Sequence, residues 1–434
     1  MNKTYKLDWN VAFYAPPAFY VEPEESNTTL TISLGSSNVF AFEYSSDGSN
    51  WTPYTEPVLI SQKTFIRASS STNYANIGKS SSTTNFHISL NKDYSIGGDL
   101  NYLMDFAGRY KESGSLVNEY RYAGIFKNET NLKSISDLYS SNKYKAGYRG
   151  FNYTFKGCTG LIDLSDLILG FDVVGAECYF QMFAGCTGLT KAPQLPRTTL
   201  FAGCYREMFY GCTSLTVPPV LPATTLVHAC YKAMFSGCTS LVTPPTLPAT
   251  TLATECYYRM FASCTSLASA PALPATTLPD AYSSSYEGGC YREMFYGCTA
   301  LTTPPALPAT NISNSDSCYA GMFQNCVNLL TAPALPSTVL SRHCYRDMFN
   351  GCRNLEKVPN LQAATLKMYC YSSMFSNCQK LKFSTTQTGE YQNSIYIGTG
   401  NRDYLQNMIW GTGGTYTSTP QTDSLLYTSN DIVQ

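Results

Sequence analysis

The sequence is short of the residue types that most enzymes and charge-driven binding proteins need. Only 14% of its 434 residues are Asp, Glu, Lys or Arg, and its three histidines are His87, His228 and His343. None of the histidines lies in a recognisable nucleophile or metal motif, and no glycine-rich phosphate loop follows a strand-like segment. The sequence therefore predicts a protein that is not an enzyme and that holds no cofactor or metal.

Long apolar runs and a strong charge of one sign are also missing. The formal net charge is −1, which gives no electrostatic attraction towards nucleic acid or an anionic membrane. No apolar run approaches the roughly 20 residues of a membrane-spanning helix, and the first ten residues lack the apolar core of a secretory signal peptide. We expect no nucleic-acid binding, no membrane insertion and no export by the usual secretory route.

What the sequence has instead is one phrase, repeated. Cys-Tyr-x-x-Met-Phe-x-x-Cys-x-x-Leu occurs eight times, most often at a spacing of 26 residues. Two degenerate copies precede these eight, at 121–132 and 150–158, and in the copy at 121–132 Glu129 stands at the second cysteine position. The eight full copies start at Cys178, Cys204, Cys230, Cys256, Cys290, Cys318, Cys344 and Cys370.

Within one copy, the apolar residues predict a short helix followed by a short strand. Cys204, Met208, Phe209 and Cys212 fall at i, i+4, i+5 and i+8, which places them on one face of one or two helical turns. Leu215 then begins an extended segment, which a proline seven residues after the second cysteine keeps short. One such unit cannot bury its own apolar edge, so we expect about ten units to stack as a solenoid over 121–381.

The remaining positions of the unit predict a surface. The tyrosine after each first cysteine is expected to cover the edge of the apolar stripe with its hydroxyl group in water, although a row of such rings is also able to stack on sugars. The pair Arg206 and Glu207, with its equivalents, is expected to form a solvated face.

The pattern resembles the Treponema-type, BspA-like leucine-rich repeats, in which Ala-Phe-x-x-Cys-x-x-Leu takes the place of Met-Phe-x-x-Cys-x-x-Leu. The repeat sequence, including the Leu-Pro-Ala-Thr-Thr-Leu segments that follow, is similar to repeats of Bacteroides proteins and of their gut phages. The resemblance covers residues 100–380. It implies a leucine-rich-repeat solenoid that serves as a scaffold, and it implies no catalytic activity.

All 17 cysteines lie in the repeats. They allow a disulfide framework, a metal array or a row of reduced, buried thiols. The odd total, the absence of Cys-x-x-Cys, a Cys-x7-Cys spacing that follows helix periodicity and assembly in the cytoplasm favour reduced thiols. Oxidation between stacked cysteines after assembly stays an open alternative.

The parts outside the repeats predict an arm, a sandwich and two end caps. Residues 1–20 form an aromatic arm that either anchors the chain to another protein or begins the next domain. Residues 21–97 read as an immunoglobulin-like β-sandwich with short strands at 30–34, 39–44, 64–67 and 86–90 and a hairpin turn at Asp47 and Gly48. Residues 98–120 read as a junction that caps the repeats, and 382–434 as the C-terminal cap. The candidate anchor residues of the arm are Trp9, Phe13, Tyr14, Phe19 and Tyr20.

Two insertions occur at the same point of neighbouring repeats, so we expect them to lie side by side as a ridge. Loops on a rigid scaffold are common binding sites, although loop lengths in repeats also vary without any function. The candidate ridge residues are Asp280, Tyr282, Tyr286, Glu287, Asn311, Asn314 and Asp316.

These patterns predict a β-rich fold with short helices, an N-terminal immunoglobulin-like sandwich and a leucine-rich-repeat solenoid. The expected function is that of a non-enzymatic phage virion protein, of the tail-fibre, head-fibre or decoration type, assembled in the host cytoplasm. Its N-terminal region would contact other virion proteins, and its repeats would contact a bacterial surface glycan or protein or act as a spacer. We expect a homo-oligomer. The alternative is a cell-surface or secreted bacterial adhesin.

Overall fold

A computed structural model of the chain describes residues 18–34, 41–69, 86–103, 122–139, 145–169, 172–173, 175–281 and 288–429. Within these residues the fold is β-rich, with two 3₁₀ helices, Leu100–Leu103 and Arg402–Leu405, and no α-helix. The strands are β1 (Tyr20–Pro23), β2 (Thr28–Leu34), β3 (Phe42–Ser45), β4 (Thr52–Pro53), β5 (Val58–Ile60), β6 (Thr64–Ala68), β7 (Phe86–Leu90), β8 (Tyr94–Asp99), β9 (Leu132–Tyr139), β10 (Lys145–Ala146), β11 (Asp172–Val173), β12 (Lys382–Ser384), β13 (Tyr391–Tyr396), β14 (Gly413–Gly414) and β15 (Leu425–Ser429).

The N-terminal strands form two sheets that share one core. One sheet has the order β4-β3-β6-β1-β8-β9 and the other the order β5-β2-β7. Strands β2, β6 and β7 alternate buried and partly exposed residues, as strands with one face in a core do. Phe42 of the first sheet and Phe86 of the second meet edge to face, with ring centroids 4.8 Å apart.

Four strands predicted from the sequence are present in this region, as β2, β3, β6 and β7. The predicted hairpin turn is also present, because β3 pairs with β4 antiparallel. Gly48 supplies the positive φ of the turn, at 73°. Asp47 accepts hydrogen bonds from the backbone N–H groups of Asn50 and Ser49, which lower the pKa of its carboxyl group.

The structure corrects the anchor role predicted for Phe19 and Tyr20. Both side chains are buried, and Tyr20 begins β1, whose neighbours are β6 and β8. Phe19 packs on Phe126 of the first repeat, with ring centroids 6.0 Å apart. Phe19 therefore joins the N-terminal sheets to the repeats, Tyr20 belongs to the sheet itself, and neither side chain is free to dock elsewhere. Trp9, Phe13 and Tyr14 lie outside the described residues.

The predicted helix of each repeat is instead a row of overlapping β-turns. In residues 203–212 every second N–H group donates to the carbonyl three residues back, as Met208 does to Tyr205 at 3.2 Å. The alternate N–H groups donate to the next repeat, as Phe209 does to Met234 at 2.9 Å. An α-helix would bond every N–H group four residues back within the same segment. We call this row the turn segment.

Backbone conformation and burial in the turn segment share a period of four. Gly203, Glu207 and Gly211 have φ values of 61°, 55° and 70°, which lie in the left-handed region that closes every second turn. Two buried residues then alternate with two on the surface, so Tyr205 is buried beside Cys204. Since half of the N–H groups point along the stack, the hydrogen bonds of one repeat are completed only by the next.

Two columns of aromatic rings run through the stacked repeats. From Tyr179 to Tyr371 the tyrosine rings stack at centroid distances of 5.5 to 6.1 Å. The phenylalanine rings from Phe126 to Phe375 stack at 5.6 to 5.9 Å. The expectation that each tyrosine hydroxyl lies in water is wrong, because the tyrosines are interior.

All 17 cysteines are free and buried. In nine repeats the thiol of the second cysteine donates to the phenylalanine carbonyl of the preceding repeat, at 2.9 to 3.1 Å. Burial raises the pKa of these thiols, to about 12 for Cys264. The nine second-position cysteines therefore act as small buried donors that link neighbouring repeats.

The two ends of the stack depart from the repeat in ways that close it. In the first repeat Glu129 replaces the second cysteine, and its carboxylate lies 2.7 Å from Nε2 of His87 and accepts from the Tyr94 hydroxyl at 3.2 Å. Beyond the ten predicted repeats, residues 404–411 form an eleventh turn segment. The backbone N–H group of Phe375 donates to the Met408 carbonyl of this segment at 2.8 Å. The C-terminal sheet, of order β13-β15-β12-β14, follows it.

Candidate binding face

One face of the stack carries the side chains that differ from repeat to repeat. In Cys-Tyr-x-x-Met-Phe-x-x-Cys the named positions form the core, and the x positions are the surface pairs of each turn segment. The core residues Cys204, Met208, Phe209, Cys212 and Leu215 are between 0 and 4% exposed. Differences at the x positions therefore change the surface without disturbing the stack.

A groove with a volume of about 530 Å³ lies across five of these turn segments. Its prominent lining residues are Glu207, Tyr210, Lys232, Tyr258, Arg259 and Tyr296. We call it the tyrosine groove.

The groove exists because two central repeats carry small residues at the x positions. Ala233 and Ala262, which are buried, form its floor. Tyr210 stands at one end and is 50% exposed, and Tyr296 stands in the same position of a later repeat. Large rings at the ends and alanine methyl groups between them leave a concave surface.

The charged groups of the tyrosine groove are held in place by neighbours. Lys232 Nζ lies 2.6 Å from Glu255 and 4.8 Å from the Tyr258 ring centroid. Arg259 Nε donates to Glu293 at 2.5 Å. Both cations are therefore ion-paired, and the pairing fixes the directions in which their remaining N–H groups point.

Glu207 is held in the same way from the other end of the groove. Its carboxylate accepts from Gln181 Nε2 at 2.5 Å and from Arg206 Nε at 3.1 Å. Lys156 in turn donates to Gln181 at 2.5 Å, and burial lowers the pKa of its ammonium group. The predicted solvated face is thus partly buried and organised into a network that crosses several repeats.

Tyr258 sits among these groups, half-buried between the cations. Burial, with a smaller contribution from Glu293, raises the pKa of its hydroxyl. The ring also lies 5.1 Å from the guanidinium of Arg292. It stays a neutral hydrogen-bonding group at physiological pH.

The described start of the first insertion lies beside the second insertion, because Ala281 forms a parallel bridge with Ser315. Asp316 is not a ridge residue on the surface. Its side chain is 8% exposed and is paired with Arg342 Nη2 at 3.2 Å, so it supports the loop. Asp280, Asn311 and Asn314 are exposed. The other three candidates, Tyr282, Tyr286 and Glu287, lie outside the described residues.

A second depression, of about 440 Å³, lies on the proline-bearing side between two central repeats, lined by Pro245, Leu247 and Pro271 among others. It offers few polar atoms with which to orient a ligand. The tyrosine groove is therefore the stronger candidate site.

Other site types find no support in the part of the chain that the structure describes. No three His, Cys, Asp or Glu side chains converge there in a way that could hold a metal ion. Across those same residues no helix has the length and hydropathy needed to cross a bilayer.

The sequence interpretation did not pick out the tyrosine groove. The usable signal was the run of x positions in consecutive repeats, where tyrosine, small and charged residues replace one another. A helical repeat places Arg206 and Glu207 in water and gives no information on which side chains adjoin them in the neighbouring repeats.

Comparison with known proteins adds no identification: no family model, no curated protein and no solved structure matches the chain.

Proposed function

We propose that the chain is a non-enzymatic recognition scaffold, displayed on a phage virion as part of a fibre or decoration. In this proposal the stacked repeats are a leucine-rich-repeat solenoid and the N-terminal sheets are an immunoglobulin-like sandwich. The N-terminal region attaches the chain to other virion proteins, and the repeats project towards the bacterial surface.

The observation that carries the proposal is the separation of constant core from variable face. The core of the turn segment repeats nearly unchanged, while the first x position differs along the stack. That position holds, in order, Phe180, Arg206, Lys232, Tyr258, Arg292, Ala320, Arg346 and Ser372. A spacer has no use for such variety, whereas a binding surface does.

Rigidity supports the same proposal. Backbone bonds between repeats, two aromatic columns and the thiol-carbonyl contacts hold the face in one geometry. A pre-ordered surface loses little conformational entropy on binding. Many copies on one particle would raise avidity even where each contact is weak, so a homo-oligomeric or multicopy display fits the proposal.

The alternative is a bacterial cell-surface or secreted adhesin with the same repeats. Free, buried thiols suit both locations, so the redox state does not decide between them. Location is decided by antibody raised against the full chain. Labelling of purified particles released by lysis supports the virion protein, and labelling of intact producing cells supports the adhesin.

The recognition function is tested with the purified full chain, fluorescently labelled, on intact Bacteroides cells in a flow cytometer. We expect saturable binding that unlabelled chain displaces. A folded, multimeric sample that binds none of a broad panel of strains would contradict the proposal and leave a spacer.

A further inference from the structure

We propose that the tyrosine groove binds a neutral oligosaccharide. This inference rests on the recognition function proposed above and names its ligand class.

The aromatic lining of the tyrosine groove fits the shape and chemistry of sugar rings. Tyrosine offers a flat apolar face together with a polar rim, and pyranose rings present apolar C–H faces between hydroxyl groups. Tyr210, Tyr258 and Tyr296 line the groove over three repeat steps, and the stacked rings of the core measure these steps as 5.8 to 6.1 Å. The aromatic surfaces are thus spread along the stack of repeats, which suits a chain of sugar rings.

The groove also presents hydrogen-bond donors and acceptors. Glu207 supplies acceptors, and Lys232 and Arg259 supply donors, all opening into the same groove. Their directions are set by Gln181, Glu255 and Glu293 at 2.5 to 2.6 Å. Hydroxyl groups both donate and accept, so a sugar is able to satisfy both kinds of partner at once.

The charged side chains of the lining are ion-paired. Each cation of the lining has a carboxylate partner, and Glu207 has Arg206. Glu293 also pairs with Arg292 at 3.1 Å. Because both lining cations, Lys232 and Arg259, are already ion-paired, their attraction for a polyanion is weakened. This favours a neutral saccharide over an acidic one.

The backbone and the floor of the groove favour a saccharide over a peptide. An extended peptide binds by pairing with free backbone groups and by inserting apolar anchors into pockets. In the groove the backbone N–H groups of Glu207, Ala233 and Arg259 already donate to the next repeat. The floor is made of small side chains, which leave no deep apolar pocket for an anchor.

The test uses the full chain and three variants, Tyr210→Ala, Arg259→Met and Trp410→Ala. Trp410 follows Ile409 as Tyr210 follows Phe209, and it is 58% exposed in the last turn segment. It is therefore a matched control for loss of an exposed ring outside the groove. The probes are a printed array of neutral and acidic oligosaccharides and the capsular polysaccharide extracted from the cells that the chain binds.

We expect binding to neutral oligosaccharides that weakens by about tenfold or more in Tyr210→Ala and Arg259→Met, as loss of a central contact does. Trp410→Ala should bind as the unchanged chain does. Unfolding transitions that match the parent exclude misfolding of the two groove variants.

Three results would overturn the proposal. They are equal binding by all variants, preference for acidic saccharides, and cell binding that survives periodate oxidation of surface sugars but is lost after protease treatment. The last result would leave the recognition function standing with a protein as its target. Absence of any cell binding would instead remove the recognition function itself.

Discussion

Replacing Ala233 with glycine distinguishes the turn segment from an α-helix. Ala233 has a φ of 51° and is 8% exposed, whereas Ala262, in the next repeat, has no positive φ and is 4% exposed. In a helix interior both substitutions would cost about 1 kcal/mol in backbone propensity. Of these two alanines, only Ala233 lies in the left-handed region.

The structure gives the two substitutions different magnitudes. Ala262→Gly loses a buried methyl group and adds freedom to the unfolded chain, together about 1.5 kcal/mol. Ala233→Gly has the same losses but relieves a left-handed alanine, which costs roughly 1–2 kcal/mol. The net change at Ala233 is therefore about zero, and the variants should differ by roughly 1–2 kcal/mol.

Urea unfolding of both variants, followed by tyrosine fluorescence, measures this difference, provided that the slopes of the transitions agree so that the midpoints can be compared. The reasoning is refuted if Ala233→Gly loses as much stability as Ala262→Gly, or more. In that case the alternating hydrogen bonds between repeats would not describe the folded chain.

Three further predictions follow from the buried polar groups. Burial raises the pKa of Cys264 from 9.0 to about 12, so the unfolded chain binds fewer protons than the folded chain between these pH values and stability should fall as pH rises from 9 to 12. A urea midpoint that does not change over this range would contradict it. Tyr231→Phe should be neutral or stabilising by about 1 kcal/mol, because the hydroxyl is buried with no hydrogen-bond partner among the described residues; a clear loss in thermal midpoint would reveal a missed partner. Glu129→Ala should cost about 1–3 kcal/mol and speed hydrogen exchange in β8, because His87 and Tyr94 lose their common acceptor; unchanged exchange there would show that the junction does not depend on this carboxylate.

Sequence alone identified the parts of the molecule that depend on local pattern. The repeat length, the core residues from Cys204 to Leu215 and the four N-terminal strands each follow from the spacing of apolar residues. The prolines correctly predicted short pairing, because the extended segments after the second cysteines meet through single bridges such as Lys191 with Val217.

Tertiary structure decided what depends on neighbouring repeats. A spacing of i, i+4, i+5 and i+8 fits a period of 3.6 and a period of four equally well, and only the bonds from one repeat to the next select the turn segment. For the same reason the sequence could not predict the burial of the tyrosine column, the packing of Phe19 on Phe126 or the ion pair of Asp316 with Arg342. The tyrosine groove is the clearest case. The sequence names its residues, but its depth arises because stacking places the repeats of Ala233 and Ala262 between those of Tyr210 and Tyr296.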